Sequence, residues 1–415
     1  MKITVQKYGG TSVQSETLRQ KAAGHVKSAV QSGYKVVVVV SAMGRMHDPY
    51  ATDTLLSLIP EGGNALPKRE RDMLQSTGEV ISSVVFANLL ITEGLKASAL
   101  TGKQAGFRTT EEFGSARITE MDTRHLLKRL EEVDVVVVAG FQGESASGET
   151  TTLGRGGSDT SATALGAALQ AEFVDIFTDV DGIMTADPRI VGDARPMKTL
   201  TYTEVSNLAH QGAKVIHPRA VEIAMHAKVP IRIRSLASDS NGGTLVSSAQ
   251  THAPGSDIRE SLITGITYVR GITQVIVSKQ QEDMQAASII FEHMAAEGIS
   301  VDFINIDPTS VVFTVPGRKS QLVEQKLHAL NYSAKLLQGC AKVSAVGAGM
   351  TGVPGVLSRI ASALYETGID ILQATDSHTT IWVLVREAEM NGAINALHGV
   401  FNLADSQNHE RRTSE

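Results

Sequence analysis

Residues 151–160 read Thr-Thr-Leu-Gly-Arg-Gly-Gly-Ser-Asp-Thr, and an alanine- and leucine-rich stretch from Ser161 to Ala171 follows them. The ten residues place three glycines, a guanidinium group, hydroxyls and a carboxylate in one turn before a predicted helix. Glycines let backbone N–H groups approach a ligand closely, and the helix N-terminus behind them favours an anion. Arg155 can bind a carboxylate through two parallel hydrogen bonds. The stretch therefore predicts a turn that binds a small acidic molecule beside a phosphate.

Around this turn, residues 1–235 alternate predicted strands with predicted helices. The valine run 36–40 is typical of a strand buried on both faces. The alternation predicts an α/β fold with a mainly parallel sheet covered on both sides. Ligands in such folds bind at the carboxyl ends of strands, and the glycine-bearing loops 8–12, 41–53 and 140–159 each follow a predicted strand. The predicted strands lie at 3–7, 36–40, 95–100, 134–139, 173–178 and 230–234, and the predicted helices at 16–32, 78–93, 122–132, 160–171, 201–211 and 217–228.

The composition excludes several classes of protein. The 415 residues are 42% hydrophobic and 20% charged, as is ordinary for a globular protein. A net charge of −6 argues against a surface for nucleic acid or anionic membrane. The single cysteine, Cys340, excludes an intrachain disulfide and fits the reducing cytoplasm. The first residues read as a strand and not as a signal peptide, so we expect a cytoplasmic protein that contacts neither membrane nor nucleic acid.

The C-terminal part contains an internal repeat with a constant offset of 70 residues. A polar, turn-rich stretch at 236–261 precedes it and suggests a domain boundary. Gly298-Ile299-Ser300-Val301 matches Gly368-Ile369-Asp370-Ile371, and the apolar run 311–315 matches 381–385. Each copy reads strand, helix, strand, strand, helix, which predicts two copies of one small α+β module.

Several motifs have both a functional and a structural interpretation. The loop Lys7–Ser12 offers a cation and bare amides for a phosphate, or it is an ordinary turn in which Ser12 or Ser15 caps the next helix. Glu79 opens an apolar helix and either pairs with an ammonium group or stabilises the helix N-terminus. The segment Thr178–Gly182 and its continuation Thr185–Arg189 suit a nucleotide, although Asp181-Gly182 is also a common turn.

Other patterns in the sequence give weaker support for a functional site. Gly347–Gly352 matches the dinucleotide fingerprint, but the 45 residues after Asp370 are too few for the rest of that fold. Lys214 is a cation between two predicted helices, where a lysine is usually solvated. The histidines have no tight spacing and Cys340 stands alone, so no zinc site is supported.

Taken together, these residues resemble the aspartokinases, and among them the monofunctional Bacillus-type members. The Gly154–Asp159 element is the most specific match, and the repeat looks like the paired ACT domains of this family. The matching segments follow the family's order and cover the N-terminal half: Val5–Ser12, Val39–Gly44, Gly78-Glu79, Ala139–Gly143, Thr152–Asp159, Thr178–Gly182, Thr185–Arg189 and Gly212–Lys214.

The resemblance implies the three-layer α/β/α sandwich of amino acid kinases followed by two ferredoxin-like ACT modules. We expect a catalytic domain over 1–240, a linker over 241–262, ACT modules over 263–335 and 336–405, and a polar tail over 406–415. The implied activity is ATP-dependent phosphorylation of the side-chain carboxylate of L-aspartate to 4-phospho-L-aspartate. This reaction begins the aspartate pathway to diaminopimelate and lysine, threonine and methionine.

The resemblance also implies how the site works. Lys7 neutralises charge on the transferring phosphoryl group, Asp159 orients Lys7, and the glycines at 9 and 10 supply amides. The substrate is held by Arg155 on one of its carboxylates, by Glu79 on the ammonium group, and by the hydroxyls of Thr52 and Ser158. Mg²⁺ bridges phosphate oxygens without protein side-chain ligands. The residues implied to bind ATP are Lys7, Gly9, Gly10, Thr178, Asp179, Thr185, Asp187, Pro188, Arg189 and Lys214.

Regulation is implied by the ACT pair. The Asp-x-Pro-Gly turn of the family is replaced in the first copy by residues 281–284, whereas the second copy keeps Val353-Pro354-Gly355. The polar segment 375–380 of the second copy can take over effector binding. We expect diaminopimelate, lysine or threonine as the effector, and a homodimer or homotetramer. The candidate effector contacts are Asp283, Asn305, Asp376, Ser377 and His378.

Two alternatives are a different carboxylate kinase of the same fold, acting on glutamate or acetylglutamate, and a non-catalytic amino-acid sensor. The Gly154–Asp159 element and the ACT pair argue against the first. Retention of Lys7, Asp159 and Lys214 argues against the second.

Overall fold

The computed structural model describes residues 1–59, 66–213, 215–237, 242–248, 262–279, 285–347, 350 and 353–404. These residues form two compact units. The first unit holds residues 1–183 and 196–209 with the described residues from 215 to 248. The second holds residues 184–195 and 210–213 with the described residues from 262 onward. Two segments from the middle of the chain therefore belong to the second unit, so no single cut in the sequence separates the units.

The first unit contains two sheets and nine helices within the described residues. Their strands are β1 (Ile3–Tyr8), β2 (Lys35–Val40), β3 (Ala97–Leu100), β4 (Phe107–Thr109), β5 (Ile118–Met121), β6 (Val135–Ala139), β7 (Gln142–Ser145), β8 (Thr150–Thr152), β9 (Val174–Thr178), β10 (Thr199–Thr201), β11 (Ile231–Ser235) and β12 (Thr244–Ser247). The helices are α1 (Glu16–Gln31), α2 (Thr52–Leu56), α3 (Lys68–Gln75), α4 (Thr77–Thr92), α5 (Gly102–Ala105), α6 (Arg124–Glu132), α7 (Gly157–Ala168), α8 (Tyr202–His210) and α9 (Pro218–Ala227), with a 3-10 turn at Gly10–Ser12.

The larger sheet has the order β10-β12-β11-β9-β1-β2-β6-β3. Its neighbouring strands run parallel except for the antiparallel pair β11–β12. The valines of β2 and β6 pair in register from Val36↔Val135 to Val39↔Val138 and are fully buried. The prediction of a parallel sheet covered on both faces is therefore confirmed.

Helices cover both faces of this sheet. Apolar residues of α1 and α4, such as Val26 and Phe86, pack with Val36 and Val38 on one face. On the other face α7 contacts β1, β2 and β9. Its Gly166 allows close packing on β9, because a β-carbon there would lie 2.3 Å from a methyl group of Val174. The first unit thus has the expected three layers.

The smaller sheet, in the order β5-β4-β7-β8, is not predicted by the sequence. Its strands have only three or four residues, which is too short to show an alternating pattern. Of the two helices over 68–92, only α4 is predicted. The run Lys68–Thr92 has the length and mean hydropathy of a membrane span, but half of its most apolar window is buried inside the protein, as in a core helix.

The second unit is built from the predicted repeat. Its elements are β13 (Gly265–Ser278), α10 (Ala286–Ala296), β14 (Asp302–Ile306), β15 (Ser310–Pro316), a 3-10 turn (Gly317–Lys319), α11 (Ser320–Ala329), β16 (Ala334–Val346), α12 (Val356–Glu366), β17 (Gln373–Asp376), β18 (Thr380–Arg386), a second 3-10 turn (Glu387–Glu389) and α13 (Met390–Val400). Both helices and the 3-10 turn of the second copy begin 70 residues after those of the first. The predicted order of strand, helix, strand, strand, helix is confirmed for both copies.

All six strands of the second unit form one sheet, in the order β14-β15-β13-β16-β18-β17. The two long central strands serve both copies. The second half of β13 pairs with β15, and the second half of β16 pairs with β18. The first half of β13, Gly265–Val269, pairs with residues 342–346 of β16. Each module therefore completes its part of the sheet with a strand segment from the other copy.

Each module has its own hydrophobic core. In the first module, Val275 and Phe313 pack against helices α10 and α11 through residues such as Ile290 and Leu327. In the second, the corresponding core includes Ile266 from β13. Ala186 and Val191, from the mid-chain segment 184–195, also belong to this second core. The predicted tail at 406–415 and most of the predicted linker at 241–262 lie outside the described residues.

Candidate active site

The carboxyl ends of β1, β2 and β6 bring three loops of the first unit together. Lys7, near the end of β1, forms an ion pair with Asp159 in the first turn of α7, with 2.7 Å between Nζ and Oδ1. The other carboxylate oxygen, Oδ2, accepts the backbone N–H of His217 at 3.3 Å. Both side chains of the ion pair are mostly buried. Asp159 therefore fixes the position of the Lys7 ammonium group.

Gly9 and Gly10 follow Lys7, and each has close neighbours. A β-carbon at Gly9 would lie 3.4 Å from the Lys7 ammonium nitrogen. A β-carbon at Gly10 would lie 2.5 Å from the carbonyl oxygen of Ala42. Gly10 thus allows the loop after β1 to pack against the loop after β2. This packing requirement is separate from the predicted role of the Gly10 backbone N–H. Ser15, and not Ser12, caps α1 by accepting the N–H of Leu18.

The turn 154–157 has the backbone that its glycines predict. Gly154 and Gly156 have φ values of +74° and +68°, in the left-handed region that glycine tolerates. A β-carbon at Gly156 would lie 2.1 Å from the ring of His217, so a larger residue does not fit. Arg155 stands exposed between them. Ser158 lies at the start of α7, where its hydroxyl accepts that of Ser41 at 3.0 Å.

Glu79, in the first turn of α4, is a buried acid with an unused oxygen. Its side chain is 3% exposed, and Oε1 accepts the N–H of Ala42 at 3.0 Å. Oε2 is buried and has no hydrogen-bond partner among the residues that the structure describes. Burial raises the pKa of Glu79 to about 8, against the smaller opposing effect of the Ala42 hydrogen bond. A cationic group that reached Oε2 would stabilise the ionised form.

These residues line one cavity of about 450 Å³ in the first unit. Of the predicted catalytic and substrate-binding residues, it brings together Lys7, Thr52, Glu79, Arg155, Ser158 and Asp159. Gly9 and Gly10 are not in its lining. The lining also includes residues that the sequence does not single out: Ser41, Asp53, Leu56, Gln75, Gly114 and Phe141. Of these, Ser41 and Phe141 lie in predicted post-strand loops, which was a usable signal.

The predicted nucleotide residues fall into two groups. Thr178 and Asp179 lie at the end of β9, which pairs with β1, and the Thr178 hydroxyl donates to Asp179 at 3.2 Å. Thr185, Asp187, Pro188 and Arg189 lie in the segment 184–195 of the second unit. Lys214 lies outside the described residues.

Thr185 and Asp187 are bonded to the second module. The buried Thr185 hydroxyl lies 3.0 Å from His398 Nε2 and accepts the N–H of Arg195. Asp187 accepts two hydrogen bonds from the Arg189 guanidinium group, one from the Arg189 backbone N–H, and one from the Tyr268 hydroxyl at 2.8 Å. The Arg189 hydrogen bond holds the pKa of Asp187 at about 2.

The described candidate effector residues lie in or just after the equivalent strands β14 and β17 of the two modules. Asn305 is in β14, where its amide donates to Asp307 at 3.0 Å. Asp376 ends β17, and the Ser377 N–H donates to the carbonyl oxygen of Thr380. His378 follows in the same turn, and Asp283 lies outside the described residues. Among the residues that the structure describes, no group of three or more His, Cys, Asp or Glu side chains could hold a metal ion.

Comparison with known proteins identifies the relatives of this chain. The profile of the amino acid kinase family matches residues 2–235, and that of the ACT domain matches residues 336–399. Aspartokinase 1 of Bacillus subtilis strain 168 is 57% identical over 404 residues, which cover 97% of this chain and 100% of that protein.

Two solved structures are similar over nearly the whole chain. Escherichia coli aspartokinase III in complex with aspartate and ADP, in its R-state, has a TM-score of 0.78 at 26% identity, covering 96% of this chain and 99% of that one. The same enzyme in complex with lysine and aspartate, in its T-state, has a TM-score of 0.78 at 27% identity, covering 97% and 100%.

Proposed function

The chain belongs to the aspartokinase family and is an aspartate kinase, and from that premise we propose how its own residues bind and phosphorylate aspartate. The proposed reaction moves the γ-phosphoryl group of ATP to the side-chain carboxylate of L-aspartate. The products are 4-phospho-L-aspartate and ADP.

The unused oxygen of Glu79 is the observation that carries this proposal. Aspartate has one ammonium group and two carboxylates. The cavity offers a buried carboxylate oxygen without a partner and the exposed guanidinium group of Arg155. An α-ammonium group on Oε2 offsets the cost of ionising a buried acid, and Arg155 takes one carboxylate in a bidentate hydrogen bond. Thr52 and Ser158 supply hydroxyl contacts from the same lining.

Phosphoryl transfer in this site depends on electrostatics and positioning. The attacking carboxylate of aspartate is already ionised near pH 7, so no general base is required. Lys7, held by Asp159 at 2.7 Å, neutralises charge on the transferring group. Backbone amides of Gly9 and Gly10 donate to the same group.

The nucleotide is proposed to extend along the edge formed by β1 and β9. Thr178 and Asp179 lie at the end of β9 and are suited to the ribose or base. Thr185, Asp187, Pro188, Arg189 and Lys214 are proposed as further nucleotide contacts. Mg²⁺ is proposed to accompany ATP, where it would offset the negative charge of the phosphates.

Feedback through the ACT pair is the proposed regulation. Aspartokinase III of E. coli has been solved with lysine in its T-state. For this chain we propose diaminopimelate, lysine or threonine as the effector. The contacts would come from Asp283, Asn305, Asp376, Ser377 and His378. The enzyme is proposed to act in the cytoplasm as a homodimer or homotetramer, at the first step of the pathway to lysine, threonine and methionine.

An ATP-coupled assay on aspartate, glutamate and acetylglutamate tests the reaction. We expect turnover with aspartate and at most a few per cent of that rate with the other two, because the site that binds the α-ammonium group rejects an acetylated nitrogen. Turnover with acetylglutamate would point to the alternative carboxylate kinase. Absence of turnover with all three substrates would point to a sensor.

A further inference from the structure

Asp72, on the face of α3 that contacts β8, is a buried carboxylate outside the set of residues already assigned. It is 1% exposed. Its Oδ2 accepts the backbone N–H groups of Gly114 at 2.9 Å and of Thr152 at 2.7 Å. Its Oδ1 accepts the Thr152 hydroxyl and the Gln75 amide, each at 2.9 Å. The carboxylate therefore uses about four acceptor positions, which is all that it has.

Three of these hydrogen bonds come from Thr152 and Gly114, in the two segments that meet at the Gly154–Gly157 turn. The fourth partner, Gln75, also donates to the Thr152 hydroxyl at 2.6 Å. Thr152 is the last residue of β8, and the left-handed Gly154 and Gly156 follow it on either side of Arg155. Gly114, the other backbone partner, packs against the same turn, since a β-carbon at Gly154 would lie 3.0 Å from the Gly114 carbonyl oxygen. Asp72 thus joins both walls of the turn that carries Arg155.

Arg219 holds the same segment through its carbonyl groups. Its guanidinium group donates to the carbonyl oxygen of Leu153 at 2.8 Å and to that of Ala116 at 3.2 Å. The N–H of Ala116 in turn donates to the carbonyl oxygen of Thr152 at 2.9 Å. An anion on the N–H groups and a cation on the carbonyl groups fix the backbone immediately before Gly154.

We propose that Asp72 is a positioning residue for aspartate binding, which fixes the Gly154–Gly157 turn and thereby the guanidinium group of Arg155. This inference rests on the proposed role of Arg155 as the ligand of a substrate carboxylate. Arg155 itself is exposed, so the location of its α-carbon decides where the guanidinium group can reach. A turn flanked by two left-handed glycines does not hold that location without external hydrogen bonds.

A double-mutant cycle of Asp72→Ala with Arg155→Ala tests the proposal by steady-state kinetics. In Asp72→Ala, KM for aspartate rises about tenfold or more, as expected when buried donors lose their acceptor, while KM for ATP stays within about twofold. In the Arg155→Ala background, Asp72→Ala causes no further loss in kcat/KM for aspartate, because the group that it positions is absent. An equal loss in both backgrounds overturns the proposal.

Failure of the proposal and failure of the proposed function are distinguishable. If Arg155→Ala alone leaves KM for aspartate unchanged, then the role of Arg155 is wrong and the inference fails with it. If Arg155→Ala raises that KM and the two substitutions act additively, only the inference about Asp72 fails.

Conservative and matched variants separate positioning from general stability. Asp72→Asn keeps an oxygen for the N–H groups of Gly114 and Thr152, and we expect it to restore KM for aspartate to within about threefold of the parent. Glu144 of β7 is another buried carboxylate, 4% exposed, and it pairs with Lys103 and Arg108 rather than with residues of the turn. Glu144→Ala lowers the melting temperature without raising KM for aspartate, and a rise as large as that of Asp72→Ala overturns the proposal.

Thr152→Val provides the test if Asp72→Ala does not fold. It removes one of the four hydrogen bonds and preserves the shape of the side chain. A rise in KM for aspartate that disappears in the Arg155→Ala background supports the proposal, and an unchanged KM overturns it.

Discussion

Burial raises the pKa of Glu79 to about 8, and this one shift makes the cavity sensitive to pH. Below that pH the carboxyl group of the empty site holds its proton, and above it the group is ionised. An ammonium group binds favourably only to the ionised form. With the proposed pairing of Glu79 and the substrate ammonium group, we expect aspartate binding to release a proton from Glu79 at pH values below the shifted pKa.

We expect KM for aspartate to fall by up to about tenfold per pH unit between roughly pH 6 and 8 and then to level off. Glu79→Gln keeps the hydrogen bond with Ala42 but removes the charge, so it raises KM for aspartate at about pH 8 and abolishes the slope. The measurement is KM for both substrates across that range, with KM for ATP as the internal control. A slope that persists in Glu79→Gln would assign the titration to another group.

The Lys7–Asp159 ion pair is expected to supply much of the catalytic rate. We expect Lys7→Ala and Asp159→Ala each to lower kcat by about a hundredfold or more, the usual effect of losing one electrostatic stabiliser. Lys35→Ala, which removes another lysine–aspartate ion pair of the same sheet at β2, serves as the control. Near-normal kcat in either variant would remove that residue from the mechanism.

Arg155 is expected to act through the shape of its guanidinium group. Arg155→Lys keeps the charge but loses the two parallel hydrogen bonds. KM for aspartate should rise by about tenfold or more, while KM for ATP changes little. Initial-rate kinetics with each substrate varied in turn make this comparison. A change in the ATP parameter instead would place Arg155 in the nucleotide site.

At the scale of elements, hydrogen bonds and apolar contacts attach the segment 184–195 to the second module. Burial lowers the pKa of His398, so its ring is neutral near pH 7. Nε2 can then accept a hydrogen bond from the Thr185 hydroxyl. The N–H of Ile266 donates to the Thr185 carbonyl oxygen at 2.8 Å, and Ala186 lies in the core of the module. The position of the proposed nucleotide residues Asp187–Arg189 therefore depends on α13 and β13.

His398→Leu tests this dependence. It removes the ring nitrogen that the buried Thr185 hydroxyl bonds to, while the hydrogen bond from the Arg195 N–H remains. We expect KM for ATP to rise by about threefold to tenfold while KM for aspartate is unchanged. His328 is the equivalent position in the first module, 70 residues earlier on α11, and it is exposed. His328→Leu should leave both constants unchanged. Equal effects of the two substitutions would show that the loss is not specific to the segment.

The sequence predicts elements better than it predicts their long-range partners. The 70-residue offset predicts the order of strands and helices in the second unit, and the two 3-10 turns that the structure adds keep the same offset. Parallel strands end at a common edge, which explains why Lys7, Arg155 and Asp159 can be expected in one place. Asp72 gives no such signal, because it lies in a charged helix whose burial depends on β8. The membership of 184–195 in the second unit is equally hidden, since its polar turn pattern does not reveal which core receives Val191.

At the scale of the whole molecule, the ACT pair is expected to carry the feedback site. An effector changes activity only by binding two states differently, and the pair is the proposed second site. We expect a chain cut near residue 250 to lose inhibition by diaminopimelate, lysine or threonine, whichever acts on the intact enzyme. The cut also removes the partners of Ala186 and Val191, which are 4% and 1% exposed, so we expect a lower melting temperature. Titration of all three amino acids against both proteins checks this, and inhibition that survives the cut would place the effector on the first unit.

A single polypeptide species is also expected, since no methionine lies between Met225 and Met284 to start a separate regulatory chain. Mass spectrometry of the purified native protein measures this. A second, shorter chain beginning between those two residues would contradict it.

The exchange of strand segments between the two modules also bears on synthesis and inheritance. The ribosome makes residues 265–269 before their pairing partners at 342–346. The sheet of the second unit therefore cannot be completed until both copies have been synthesised. Deleting either copy from the gene would take a strand out of the sheet of the survivor and leave an exposed edge, which favours aggregation. Once the duplicated modules exchanged strand segments, each copy depended on the other, and the two had to be inherited together. A gene can then lose one copy, or pass one copy to another protein, only if a new strand replaces the segment that the other copy supplied.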